Sequence, residues 1–264
     1  MKTNSILSAT RTPLIGVIHL RPLPGSPRWR GDFKTLVESA LRDARAYERG
    51  GAHAVLIENF GDVPFAKTGV GPETVAAMAT VGMAVAGTVD LPIGFNVLRN
   101  DARAALALCA ACGGNFIRVN VHCGAMLTDQ GLIEGDAYST LRYRERICPG
   151  THIFADVHVK HAVPLGDWSI ENAARDTIER GLADALIVSG MGTGHAADME
   201  DVERVRRACP KAKLLIGSGV NAANVKSYLR FADGVIVGSS LKKDGRLTNP
   251  VDPKRVAALV KAMG

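Results

Sequence analysis

The chain's 264 residues are 47% hydrophobic and 22% charged, enough apolar material for a sizeable core in an ordinary globular protein. A net charge of +6, with only 5% aromatic residues and no dense Lys/Arg run, favours small anionic ligands and excludes nucleic acid as an expected partner. No apolar run is long enough to cross a bilayer, residues 1–11 lack a signal-peptide core, and five cysteines are an odd count, which together predict a cytoplasmic chain with reduced thiols.

In chain order, β-rich apolar segments alternate with amphipathic ones. The patterning predicts strands over residues 14–20, 53–59, 92–98, 115–121, 152–160, 184–189, 213–218 and 234–237. It predicts helices over 32–49, 72–86, 101–112, 136–147, 169–180, 198–208, 221–229 and 253–262. The first helix places Phe33, Leu36, Val37, Ala40, Leu41, Ala44 and Tyr47 on one stripe and stops at Gly50-Gly51. Eight strand–helix alternations imply a parallel sheet closed into a single-domain (β/α)8 TIM barrel over residues 1–264. A repeated template supports this: Gly51-Ala52-His53-Ala54-Val55, Leu182-Ala183-Asp184-Ala185-Leu186 and Phe231-Ala232-Asp233-Gly234-Val235 each join a helix end to a strand. An open dinucleotide-binding sheet is disfavoured, because the first turn, Arg21-Pro22-Leu23-Pro24-Gly25, cannot open a helix around a pyrophosphate. The long connections follow the first, second, fourth and fifth strands, at the end where barrel enzymes keep their chemistry.

The fifth strand carries the strongest functional signal. With a period of two, Ile153, Ala155, Val157 and Val159 share one face, and His152, Phe154, Asp156, His158 and Lys160 share the other. An acid, an imidazole and an amine pointing into a barrel are costly unless used or paired. Asp156, His158 and Lys160, with Glu58 after the second strand, are therefore the expected catalytic groups for proton transfer and charge stabilisation. The fourth strand repeats the pattern with Arg118, Asn120 and His122, and Arg118 is expected to pair with Asp156. His19, Asn96, Arg118, Asn120 and Asp129 are expected to bind substrate; Asp129 lies in Thr128-Asp129-Gln130-Gly131, either a lid or a polar turn. No cofactor is assigned. A divalent metal on Glu58, Asp156 and His158 stays open, although their spacing is no established metal signature.

Gly217-Ser218-Gly219 after the seventh strand and Gly238-Ser239-Ser240 after the eighth stand where barrels bind phosphate. Ser218, Gly219, Gly238 and Ser239 are the expected phosphate-binding residues, with Gly192 of the Gly190–Gly194 run extending the cradle. Cys109 and Cys112 fall inside an Ala-rich helix with no second such pair, which reads as small buried residues rather than a metal or redox site.

Several longer motifs then fall into one order. Gly16-Val17-Ile18-His19-Leu20-Arg21-Pro22-Leu23-Pro24-Gly25-Ser26-Pro27, Ile57-Glu58-Asn59-Phe60-Gly61-Asp62-Val63-Pro64-Phe65, Asn96-Val97-Leu98-Arg99-Asn100-Asp101, Thr128-Asp129-Gln130-Gly131, Ala155-Asp156-Val157-His158-Val159-Lys160-His161-Ala162 and Gly217-Ser218-Gly219-Val220 resemble the motifs of the BtpA/SgcQ family. The resemblance covers nearly the whole chain. It implies a ribulose-phosphate-binding type of barrel, and a role divided between an enzyme and a factor for accumulating photosystem I; it brings no agreed catalytic set. The combined expectation is an enzyme acting on a small phosphorylated sugar or sugar-derived compound, nucleoside-type included, by acid/base isomerisation, lyase chemistry or glycosidic cleavage. The alternatives are a non-catalytic biogenesis factor for a membrane complex, or a sugar-phosphate sensor. Association into a homo-oligomer through the outer helices is expected in either case.

Overall fold

The computed structural model describes residues 12–190, 192 and 194–264. The expectation of no signal-peptide core in residues 1–11 therefore lies outside the described residues, as do Met191 and Thr193 of the glycine run. Eight parallel strands close into a barrel: β1 (Leu14–His19), β2 (Ala54–Glu58), β3 (Ile93–Asn96), β4 (Phe116–Val119), β7 (His152–Val157), β9 (Ala185–Ser189), β10 (Leu214–Gly217) and β11 (Gly234–Val237). They pair in chain order, and β11 returns to β1 through Leu14↔Val235 and Gly16↔Val237. Each barrel strand is followed by a helix packed outside: α1 (Phe33–Arg49), α2 (Pro72–Ala86), α3 (Ala102–Cys112), α4 (Ala137–Ile147), α5 (Ile170–Arg175), α6 (Met199–Ala208), the short α7 (Val225–Tyr228) and, after two 3-10 turns that follow β11, α8 (Pro253–Met263). Asp32, Asp101, Asp136, Ser169, Asp198 and Asp252 cap helices through their side chains, which satisfies donors the first turn would otherwise leave open.

The repeated template has a physical role at the floor of the barrel. The polar residue before one strand accepts a backbone N–H from the first two residues of the preceding strand. His53 takes Leu14, Asn115 takes Ile93, Asp184 takes Ile153 and Asp233 takes Leu214, at 2.8–3.1 Å. Above this ring the interior is an apolar plug of residues such as Ile15, Leu56, Ile187, Leu215 and Ile236, completed by Phe116 and Phe154, whose rings stack at 4.9 Å. The outward faces pack against the helices; Tyr47 of α1, fully buried, donates its hydroxyl to Val17 O at 2.9 Å. A buried ion pair between Asp43 of α1 and Lys242 joins the first helix to the segment after β11.

Three features depart from the sequence reading. The fifth barrel strand stops at Val157 because His158 has φ +50, a left-handed conformation that a strand cannot continue through. The long fourth connection is a β-hairpin, β5 (Ala125–Thr128) and β6 (Gly131–Glu134), which pairs with β8 (Ala162–Pro164) into a small antiparallel sheet over the barrel mouth. The helix expected over 169–180 changes at Asp176 into a π-helical turn ending at Arg180.

Candidate active site

Because Cβ atoms alternate along a strand, the residue two places above each apolar plug position also points inward. Above Val17 and Leu56 stand His19 and Glu58, paired in register; above Phe116 and Phe154 stand Arg118 and Asp156; above Ile187 stands Ser189. Asn96 of β3 is in register with Glu58 and donates to its Oε2 at 2.7 Å. These polar groups form a layer at the C-terminal mouth, immediately over the apolar plug.

Arg118 and Asp156 make the expected pair. Arg118 donates from Nε and Nη2 to the two carboxylate oxygens, both at 2.8 Å, and Asn120 and Ser189 add longer contacts at 3.3 and 3.5 Å. Burial works against the Arg118 charge, yet Asp156 outweighs it and holds the guanidinium pKa above its ordinary value. A carboxylate so fully engaged orients Arg118; it is poorly placed to abstract a proton itself.

Glu58 is different. It is 2% exposed, and its Oε1 lies 3.9 Å from His19 Nε2. Burial alone would raise its pKa, but the electrostatic pull of Lys160, then of His19 once protonated and of Arg118, and the Asn96 hydrogen bond hold it below the usual carboxylate range. Lys160 reaches the same space from the loop after β7, and its ammonium makes no direct hydrogen bond or ion pair among the described residues. Burial pushes its ammonium below the ordinary lysine value, with Glu58 pulling the other way. Burial likewise drives His19 down to about 4 against the pull of Glu58, so its imidazole is neutral near pH 7. His19 Nδ1 finds no protein partner among the described residues. The arrangement offers a buried carboxylate, an amine with a depressed pKa and a neutral imidazole around one space, a set able to take up, deliver and stabilise charge on a small substrate.

Two cavities meet at Glu58 and Lys160. The first, about 230 Å³, is polar: Ser218, Gly219, Gly238, Ser239 and Ser240 line it, with Arg118, Lys160 and His19 at its floor. Ser218 and Gly219 both adopt positive φ, +79 and +67. A Cβ at Gly219 would fall 2.3 Å from the Ala196 nitrogen, and one at Gly238 would fall 2.4 Å from the His19 ring, so side chains are excluded from both walls. Ser240 Oγ donates to Val220 O at 2.6 Å and ties the β10 and β11 turns together. The second cavity, about 340 Å³, is more apolar, lined by Phe60, Val63, Phe65 and Leu98, with Arg99, Asp129 and His161 at its edge.

The expected site residues thus divide. Glu58, Lys160, His19, Arg118, Ser218, Gly219, Gly238 and Ser239 come together around the first cavity, and Asp129, on the β5–β6 turn, edges the second. Asn96 holds Glu58 instead of facing the space, being 1% exposed, and Asn120 leans on Asp156. His158 does not join them. Its backbone reversal turns the ring outward, toward Glu171, Asp201 and Arg204 of the α5–α6 layer, so the acid–imidazole–amine ladder is broken in the middle. His122 likewise leaves the interior, its Nε2 2.8 Å from Gly181 O. The metal set of Glu58, Asp156 and His158 is therefore not assembled: one member faces away and another is clamped by Arg118. Gly192 sits against the His195 and His161 rings, and Gly194 lines the first cavity in its place. Cys109 and Cys112 are buried in α3, where burial pushes both thiols up.

Two contributors escaped the sequence reading. Ser189 continues the inward series Ala185, Ile187, and the period of two, applied to β9, would have found it. Arg99, 4% exposed, donates from Nη2 to Lys160 O at 2.6 Å and fixes the loop that carries the amine. Its place depends on a contact across 61 residues of sequence, for which no local pattern exists.

Among solved structures, phosphoribosyl anthranilate isomerase from Thermus thermophilus matches in fold with a TM-score of 0.56 at 12% identity, over 95% of this chain and 98% of that one. The Photosystem I biogenesis protein BtpA of Synechocystis sp. is 47% identical over 254 residues, 96% of this chain and 88% of that protein. An uncharacterized protein of Thermococcus kodakarensis is 48% identical over 250 residues, 95% of this chain and 94% of that one. The model of the BtpA family matches residues 10–264. With that match running over nearly its whole length, the chain belongs to the BtpA family.

Proposed function

We propose that the protein is an enzyme acting on a small phosphorylated sugar or sugar-derived compound, its phosphate held in the Ser218–Gly219 and Gly238–Ser239 turns and its reacting carbons placed over Glu58 and Lys160. One observation carries this reading: a buried carboxylate and a desolvated amine share the floor of a cavity whose walls are glycine and serine backbone. Glu58 acts as the base, Lys160 stabilises the developing negative charge or returns the proton, and His19 offers a neutral ring nitrogen to a substrate oxygen. Arg118 faces the phosphate cavity, held in place by Asp156. The apolar second cavity suits a substituent joined to the sugar, which favours isomerisation, lyase or glycosidic-bond chemistry on such a compound. That the fold resembles an isomerase of phosphoribosyl anthranilate supports the phosphate position.

The test is product analysis by phosphorus and proton NMR after incubation with a panel of phosphorylated sugars and their glycosides. Glu58→Gln, with an unchanged circular dichroism spectrum, is expected to lower turnover by about 10²–10⁴. Wild-type turnover in that variant would remove Glu58 from the mechanism. A non-catalytic biogenesis role draws on the name of the Synechocystis relative and on the exposed Leu127, Val163, Leu165 and Trp168 of the mouth sheet and its continuation. Under that reading Lys160→Met leaves function in the cell intact, whereas under the enzymatic one it does not.

A further inference from the structure

A third cavity, about 530 Å³, lies between the mouth sheet and α5, and neither Glu58 nor Lys160 lines it. Its walls are mostly apolar, with Val121, Met126, Val159 and Trp168 prominent. Two polar atoms set into those walls are buried and have no hydrogen-bond partner among the described residues: Asn120 Oδ1 and His158 Nε2. Leaving such an atom unsatisfied costs about 1–3 kcal/mol. Two of them on one cavity call for a common explanation.

The chemistry of both atoms is determined by their other contacts. Asn120 is 2% exposed, and its amide nitrogen donates to Asp156 Oδ2 at 3.3 Å. An ionised carboxylate only accepts, so the amide cannot be turned over, and its oxygen must face the other way. His158 donates from its ring to the Trp168 backbone, which leaves Nε2 as the acceptor of a neutral imidazole; burial keeps the ring neutral by lowering its pKa. The remaining polar groups on the cavity include the Asp167 and Asp176 carboxylates, and no lysine or arginine lines it. These groups accept, while the Thr177 hydroxyl and the Cys123 thiol donate to the Ala173 and Asp176 carbonyls. With three carboxylates and no cationic side chain on its walls, the cavity disfavours an anion.

We propose that this cavity is a second small-molecule site, taking a mainly apolar molecule whose hydroxyl or amine donates to Asn120 Oδ1 and His158 Nε2 while its body packs on Trp168. The site also explains the left-handed backbone at His158, which carries the imidazole out of the barrel and into this wall. Its occupant is coupled to the phosphate cavity by short steps, because Asn120 bonds Asp156 and Asp156 clamps Arg118. The inference stands independently of the reaction at Glu58.

Trp168 supplies the readout. The chain has two tryptophans, so Trp29→Phe leaves Trp168 as the sole indole. In that background, benzyl alcohol is expected to change the emission saturably at millimolar concentration, binding at least about fivefold more tightly than toluene, the worth of one hydrogen bond. Benzoate, which brings a negative charge to acceptors, is expected not to bind. Ala173→Phe, which fills the cavity from α5, is expected to abolish the response. No saturable response to benzyl alcohol, equal affinity for toluene, or an undiminished response in Ala173→Phe each overturns the proposal. Should Ala173→Phe fail to fold by circular dichroism, the benzyl alcohol and toluene comparison decides alone, and equal affinities would mean an apolar void whose polar atoms are met by water.

Discussion

At the scale of single residues, the site is governed by what burial does to three ionisable groups around one space. His19 shows it in measurable form. Its pKa falls from 6.5 to about 4, chiefly through burial, so the folded state resists protonation that the unfolded chain accepts. Stability from this group is complete above pH 6.5 and is lost as pH falls through 4. A shift of this size corresponds to about 3 kcal/mol at the acid end. Urea unfolding of wild type and His19→Gln, followed from pH 7 to pH 4, is expected to show a steeper loss in the wild type, the two curves converging or crossing in acid. Parallel curves would mean that His19 is not held neutral. The inward direction of Asp156 and Arg118, and their pairing, were legible from the period of two. His158 was not, because a positive φ at a non-glycine residue leaves no mark in the hydrophobic pattern, and the alternation His158, Val159, Lys160 reads as strand in either case.

At the scale of elements, the alternation of strands and helices was readable because each apolar run faces a helix on one side and the barrel plug on the other. The template before three of the strands was visible as sequence similarity, and its reason lies in the barrel floor, where each polar side chain caps the neighbouring strand. Asp233 is the clearest example: Oδ2 accepts Leu214 N at 2.8 Å and Arg206 Nη2 at 2.7 Å. Asp233→Ala leaves that N–H unpaired and is expected to cost about 1–3 kcal/mol in equilibrium urea unfolding. A change below about 0.5 kcal/mol would show that water replaces the cap without loss. The mouth sheet escaped the reading because its strands are only three or four residues long, and β8 pairs with β5 across some 35 residues of chain. Thr128-Asp129-Gln130-Gly131 was seen as a turn or a lid, and it is a hairpin turn that brings Asp129 to the edge of the second cavity.

For the whole molecule, the barrel brings together residues from both ends of the chain: His19 and Glu58 from its start, Lys160 from its middle, and the Ser218 and Ser239 turns from its end, around one cavity. Closure of β11 onto β1 and the Asp43–Lys242 ion pair tie the segment carrying Ser239 to the strand that carries His19. No helix among the described residues is long and apolar enough to cross a membrane. The phosphate cavity is the claim on which the functional reading rests, and titration calorimetry reaches it most directly, with ribose 5-phosphate and inorganic phosphate added to wild type and to Ser239→Asp. Saturable binding by the wild type, weakened at least about tenfold by the added carboxylate through like-charge repulsion, is the expected result. Absence of binding by either ligand, or equal affinity in the two proteins, would contradict it.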